Sequence, residues 1–309
     1  MKKVAVFGHK NPDSDSVLSA IILGEFLSGR GEDAVPFTLG KINLESEFVL
    51  KKFGVKEPKV LSSVEEINDF SVAIVDTTNP MQLPNGIERN DIKMIVDHHN
   101  LGGLVTAGVP EIWVRPYGAT CTVLYEMFSL ARIKASKTIL SLILSGILSD
   151  TFNLTAATTV EQDKNAVREI SRELGCDVDS LWEELLDAKS NISGLTDMDL
   201  ILLDSKEFVF HNKLFFIANI DVKYPDAIMA RLQDIKKTLL EMKTKYYCVM
   251  SIINIMSTNK SILISFADDN EKIAKIFDKK FENNETLFDR ILVRKKDIVA
   301  LLQSSDILD

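Results

Sequence analysis

Cysteine is scarce and poorly placed for structural chemistry. Cys121, Cys176 and Cys248 are odd in number, far apart and form no Cys-x-x-Cys pair, so neither a disulfide frame nor a thiolate zinc site fits, and buried free thiols are the better reading. Positive charge is also in deficit. A net charge of -9 and a pI near 5.1 argue against a surface that wraps nucleic acid, whose phosphates need a net basic face. A local basic pocket stays open. No long apolar run opens the chain: MKKVAVFGH is interrupted by Gly8 and His9, which fits neither a signal peptide nor a membrane anchor, so a cytoplasmic protein with no membrane partner is expected. Internal repeats and low-complexity tracts are absent as well.

What is present is an ordinary globular composition, 46% hydrophobic and 26% charged over 309 residues, a length that favours two domains over one. Short apolar runs alternate with helical periodicity through the first half, the pattern of a parallel sheet covered by helices. Val4 to Phe7, Ser71 to Val75 and Lys93 to Val96 read as buried strands; Ser14 to Ser28, Ala119 to Leu130, Lys137 to Leu148 and Val160 to Leu174 read as helices, the last ended by Gly175. Ser190, Ser193 and Gly194 then mark a linker. Beyond it, strands are expected over Lys213 to Val222, Tyr246 to Ile255, Ser261 to Phe266 and Ile291 to Val293, with one long helix from Tyr224 to Lys245. The fold class is therefore α/β, an N-terminal parallel-sheet domain with helices on both faces followed by a smaller mixed α/β domain.

The chain holds four histidines, and three of them sit at strand ends beside aspartates. His9 follows the first strand, and Asn11-Pro12 turns the chain before Asp13, Ser14 and Asp15 lead into a helix. Asp76 closes the second strand, and Asp97, His98 and His99 close the third. Singly, Asp13 or Asp15 is a helix cap, Asp76 a turn former and a lone histidine a structural residue. In an open parallel sheet, however, strand carboxyl ends share one crevice. Carboxylates gathered there repel one another and need a compensating cation. Imidazole and carboxylate without thiolate favour Mn²⁺, Co²⁺ or Zn²⁺ over Ca²⁺, and six such ligands suit two ions sharing an aspartate. Asp150 closes an apolar helix at the end where the dipole disfavours anions. A metal ligand and a simple turn residue both remain open for it.

The segments GHKNPDSDS (8–16), VDTTN (75–79), VDHHN (96–100) and LSDT (148–151), with LLDSKEF (202–208) and VRKKD (293–297), resemble the DHH phosphoesterase superfamily and, within it, the family II manganese-dependent inorganic pyrophosphatases. The resemblance spans nearly the whole chain. It implies a DHH domain over residues 1–187, a flexible linker at 188–195 and a substrate-gripping DHHA2-type domain over 196–309, with the active site between them. By the same resemblance, His9, Asp13, Asp76 and Asp150 bind one Mn²⁺ while Asp15, Asp76 and His98 bind another, with Co²⁺ as a substitute and Mg²⁺ arriving with the substrate. Asp97 orients its neighbours, His99 contacts phosphate or assists the leaving group, and Arg294 and Lys295 grip a small phosphoanhydride. Asp13 is the general acid or base, attack comes from a hydroxide bridging the metals, and relatives pair as homodimers through an N-terminal edge strand.

Departures from the family pattern concern the substrate grip. Thr77 stands where a histidine is usual, Gly194 where a substrate-binding lysine is expected, and Val293 and Asp297 flank the basic pair in place of serine and glutamine. Lys189 is the expected replacement cation. These losses keep three rivals in view: an exopolyphosphatase of the same superfamily, a nucleic-acid phosphodiesterase, against which the acidic charge weighs, and a sensor that binds phosphate without hydrolysis.

Overall fold

The computed structural model describes residues 2–308, and the chain divides between Ala188 and Lys189 into two compact units. In the first, β1 (Val4–Phe7), β2 (Ala34–Thr38), β3 (Lys59–Val60), β4 (Ser71–Val75), β5 (Asp91–Asp97) and β6 (Glu111–Val114) form a sheet in the order β3-β2-β1-β4-β5-β6. Every pairing in it is parallel. Both faces of such a sheet must be covered. Val4, Val6, Ala73, Val75 and Val96 pack against α1 (Ser14–Gly29), α3 (Thr120–Ala131), α4 (Lys137–Asp150) and α5 (Glu161–Leu174), with α2 (Leu44–Lys52) and α6 (Val178–Lys189) completing that layer. Ala5, Phe7, Val72 and Ile74 point the other way, onto Leu61, Ile67, Leu83 and Ile87, which are carried by loops and short 3₁₀ turns.

The strand order places the site. From β1 the chain steps one way to β2 and β3, and from β4 the other way to β5 and β6, so the connections leaving β1 and β4 diverge and open a crevice at their carboxyl ends. Gly8 makes the close approach there possible: a Cβ on it would meet Ser16 Oγ at 1.9 Å. The hydroxyl of Ser16 instead accepts the His9 N–H at 3.1 Å, tying the end of β1 to the first turn of α1.

The second unit holds α7 (Asp197–Leu202), β7 (Ser205–Phe210), β8 (Lys213–Val222), α8 (Pro225–Met242), β9 (Cys248–Ile255), β10 (Lys260–Ala267), α9 (Asn270–Phe277), β11 (Glu285–Phe288), a π-helical turn over Arg294–Val299 and α10 (Ala300–Ser304). Its sheet runs β11-β10-β9-β8-β7, parallel between β8 and β9 and antiparallel elsewhere. Residues 190–195 are anchored to this unit: Ile192 is buried in its core, and Arg231 donates to the carbonyls of Ile192 and Leu195 at 3.1 and 2.8 Å. Among the described residues no helix is long and apolar enough to cross a membrane.

Most expected elements form, and α5 ends at Gly175 in the left-handed region at φ 64°. The strand expected at Ile291 to Val293 does not. The Leu292 N–H goes to the Asn254 and Ser261 side chains, at 3.2 and 3.0 Å, instead of to a ladder, and β11 takes the edge of the sheet.

Asp163 holds the approach to α3. Fully buried, it accepts from Gly118 N at 2.9 Å, Thr122 Oγ1 at 2.6 Å and Val160 N at 2.8 Å. Its removal strands buried donors, each worth about 1–3 kcal/mol. Asp163→Ala is expected to lower the unfolding free energy by about 3 kcal/mol or more, read as the urea midpoint of the metal-free protein; a change within ~0.5 kcal/mol would contradict this role.

Candidate metal centre

Three strand ends deliver the side chains. His9 follows β1, Asp76 follows β4, and His98 and His99 follow β5; the start of α1 adds Asp13 and Asp15, and the end of α4 adds Asp150. Asp76 adopts a left-handed backbone at φ 61°, a conformation costing about 1–2 kcal/mol for a residue with a Cβ. In that conformation its two carboxylate oxygens are held between His9 on one side and His98 and Thr120 on the other. Thr120 Oγ1 donates to Asp76 Oδ1 at 2.8 Å, while Asp76 Oδ2 is buried and takes no hydrogen bond, although His9 Nε2 lies 3.2 Å away.

The histidines are oriented from behind. His9 Nδ1 lies 2.9 Å from the Lys10 carbonyl and His98 Nδ1 lies 3.0 Å from the Tyr117 carbonyl. A carbonyl can only accept, so each Nδ1 carries a proton and, in the neutral ring, each Nε2 presents a lone pair. Those lone pairs face carboxylates. His9 Nε2 is 3.2 Å from Asp13 Oδ2, and His98 Nε2 is 3.5 Å from Asp76 Oδ1 and 3.4 Å from Asp150 Oδ2. Asp97 stays behind the cluster. Its Oδ1 accepts the backbone N–H groups of His98 and His99 at 2.8 and 2.9 Å, and His99 Nδ1 at 2.8 Å.

The carboxylates at the helix starts each have two duties. Asp13 caps α1 by accepting from Ser16 N at 3.0 Å through Oδ1 and turns Oδ2 toward His9. Asp15 accepts from Thr120 N at 2.6 Å and Cys121 N at 3.0 Å, so it also caps α3. Burial, reinforced by the charges of Asp76 and Asp150, nevertheless pushes the Asp15 carboxyl well above its usual value. Burial and Asp13 push Asp76 up too, but the imidazoles of His9 and His99 outweigh them and hold it below the ordinary range.

Ligand atoms lie within 4.8 Å of one another in three overlapping groups: His9, Asp13 and Asp76; Asp76, His98 and His99; Asp15, His98 and Asp150. A buried oxygen without a donor, two imidazole lone pairs and crowded carboxylates are what a divalent cation satisfies. The nitrogen and oxygen donor set, with no sulfur, suits manganese. Asp150 groups with Asp15 and His98, whereas the resemblance had placed it with His9.

The remaining expected residues lie in the second unit. Arg294 is largely withdrawn, donating to the Asp204 carbonyl at 3.0 Å and pairing with its carboxylate at 2.6 Å. Lys295 follows it on the π-helical turn, and Lys189 pairs with the buried Asp221 at 2.7 Å. One residue of the site carries no local signal: Thr120 bonds both Asp15 and Asp76 but looks like any first-turn threonine.

Residues 3–147 match the DHH family, N-terminal domain, and residues 183–305 match the DHHA2 domain. A Bacillus mycoides protein named a probable manganese-dependent inorganic pyrophosphatase is 32% identical over 305 residues, 98% of each chain. One of the same name from Staphylococcus carnosus is 31% identical over 97% of each. The crystal structure of a Methanococcus jannaschii protein assigned to the family II inorganic pyrophosphatases superposes with a TM-score of 0.88 at 30% identity, covering 98% of both chains. An exopolyphosphatase-related protein of Bacteroides fragilis shares the fold at a TM-score of 0.52 and 15% identity, over 97% of this chain and 90% of that one.

Metal binding here must displace protons, because Asp15 has to ionise and both Nε2 atoms must be unprotonated. Mn²⁺ at about a hundred times its dissociation constant is expected to stabilise the protein by about 2.7 kcal/mol per site. The resulting rise in melting temperature should be larger at about pH 7.5 than at about pH 5, and small in His98→Ala. An equal rise in parent and variant would place the ion elsewhere.

Proposed function

Because the chain belongs to the DHH family, among the manganese-dependent, family II inorganic pyrophosphatases, we infer that it hydrolyses inorganic pyrophosphate to two orthophosphates. The observation that carries this reading is the convergence of His9, Asp76, His98 and Asp150, from four distant stretches of sequence, with ligand atoms 3.2–3.5 Å apart in successive pairs. Activity depends on manganese. In the proposed arrangement His9, Asp13 and Asp76 hold one cation, and Asp15, Asp76, His98 and Asp150 a second, with Asp76 shared; Co²⁺ can substitute, and Mg²⁺ enters with the substrate. When bound, two cations supply a nucleophilic oxygen at neutral pH and neutralise charge on the phosphoryl group.

The chain's own residues do the rest. Asp13, with Oδ1 committed to the helix cap, keeps Oδ2 in the site to take or return a proton. His99, held at Nδ1 by Asp97, directs its other nitrogen toward the phosphate or the leaving oxygen. Arg294 and Lys295 grip the anionic substrate, a role suited to a planar donor and a point charge. The division at 1–187 and 196–309, with 188–195 as the joint, belongs to the same proposal. Lys189 fits the missing cation less well than position alone suggested, since Asp221 already neutralises it. A cytoplasmic setting accords with three free thiols, and pairing of two copies through β6 accords with the exposed Ile112 and Val109. The acidic net charge favours a small anion over nucleic acid as partner.

Phosphate release from pyrophosphate and tripolyphosphate, measured on metal-stripped protein reloaded with Mn²⁺, tests the reading. Pyrophosphate should be the better substrate, and faster release from tripolyphosphate would refute the choice of substrate. Asp76→Asn is expected to lower kcat at least about 10³-fold, and Asp13→Ala about 10²- to 10⁴-fold. Arg294→Ala should raise KM about tenfold or more; an unchanged KM would remove Arg294 from the grip.

A further inference from the structure

We propose that Glu45, in the first turn of α2, is a positioning residue that sets the spacing between the helix ends bearing Asp13, Asp15 and Asp150. This rests on the reading that those carboxylates hold cations. Glu45 is 1% exposed, and its Oε2 accepts from two hydroxyls at once, Ser14 Oγ at 2.6 Å and Ser149 Oγ at 2.7 Å. Ser14 stands between Asp13 and Asp15; Ser149 directly precedes Asp150. One oxygen thus ties the start of α1 to the end of α4. The tie is itself braced, because Ser46 Oγ donates to Ser14 Oγ at 3.2 Å and Ser46 N to Asn43, the cap of α2, at 2.7 Å.

A plainer account would have Glu45 serve the dipole of α2, as acids in a first turn do. Glu47 occupies the same turn and remains exposed to water, so the dipole does not require a buried carboxylate. Burying one costs free energy, and Glu45 is buried where its hydrogen bonds reach residues adjoining three candidate ligands. Like-charge repulsion among Asp13, Asp15 and Asp150 acts to part the two helix ends. The serine-carboxylate-serine link opposes that motion and holds the ligand oxygens at the separation a cation needs. Groups bonded directly to a ligand typically change metal affinity 10- to 100-fold when removed; Glu45 acts one residue further back, through the serines beside the ligands.

The test is Mn²⁺ titration calorimetry on full-length, metal-stripped protein, paired with thermal melting of the metal-free state. Glu45→Ala should weaken Mn²⁺ binding about 10- to 100-fold. Glu45→Gln, whose amide oxygen can accept both hydroxyls, should bind within about threefold of the parent. The Ser14→Ala/Ser149→Ala double variant removes both donors from the buried carboxylate, so it should melt below the parent and, in its folded state, reproduce the loss of Mn²⁺ affinity. If Glu45→Ala fails to fold, the double variant decides alone. Parent-like Mn²⁺ affinity in the folded variants, even with lowered melting temperatures, would overturn the positioning role and leave the functional reading intact. A parent that binds no Mn²⁺ would instead overturn that reading, and Glu45's role with it.

Discussion

The structure turns on a repulsion. Asp13, Asp15, Asp76 and Asp150 meet at one end of a parallel sheet together with the lone pairs of His9 and His98; Asp15, Asp76 and the two histidines are buried, and Asp13 and Asp150 are half-buried. Such a collection of acceptors is unfavourable without a cation. The surrounding fold reads as a set of devices that keep these groups together despite that cost. Carbonyls of Lys10 and Tyr117 fix the imidazoles, the first turn of α3 donates two N–H groups to Asp15, and Thr120 steadies Asp76.

The order β3-β2-β1-β4-β5-β6 explains why those groups come from such distant positions. β1, β4 and β5 are adjacent, so residues one or two past each strand are neighbours in space although they are 67 and 22 positions apart in the chain, from His9 to Asp76 and from Asp76 to His98. Strand ends are well suited to this work because the backbone ladder behind them is rigid. Where a regular exit would misdirect a side chain, the backbone departs from the ordinary: Asp76 takes a left-handed conformation, and the missing side chain of Gly8 admits Ser16.

Much of this was legible in the linear sequence, and for physical reasons. Buried parallel strands are short and uniformly apolar, so Val4–Phe7 and Ser71–Val75 stand out, and a histidine or aspartate directly after one is conspicuous. The edge strands β3 and β6 and the inner strand β2 did not stand out, being short or half exposed. The error at Ile291–Val293 has a similar origin: three apolar residues look like a strand whether their N–H groups meet a ladder or the side chains of Asn254 and Ser261. Roles that depend on contact across the fold were invisible. Nothing local marks Thr120, and the grouping of Asp150 with Asp15 and His98 is set by where α4 ends, which no spacing reveals.

The departures from the family pattern gain a physical meaning in this light. Thr77 does not simply replace an imidazole with something smaller. Its hydroxyl donates to Gln82 at 2.8 Å and accepts from Asn79 N at 3.1 Å, so it organises the turn that follows Asp76. Asp297 acts likewise in the second unit, accepting from Val293 N at 2.7 Å and pairing with Arg290 at 2.8 Å, and thereby closes the turn that carries Arg294 and Lys295. In both places the side chain braces the turn in which it stands. Because a carboxylate facing pyrophosphate would repel it, Asp297 is compatible with a substrate grip only while Arg290 and the Val293 N–H occupy its two oxygens. Arg294 is likewise committed within its own unit, its guanidinium shared between the carboxylate and the carbonyl of Asp204.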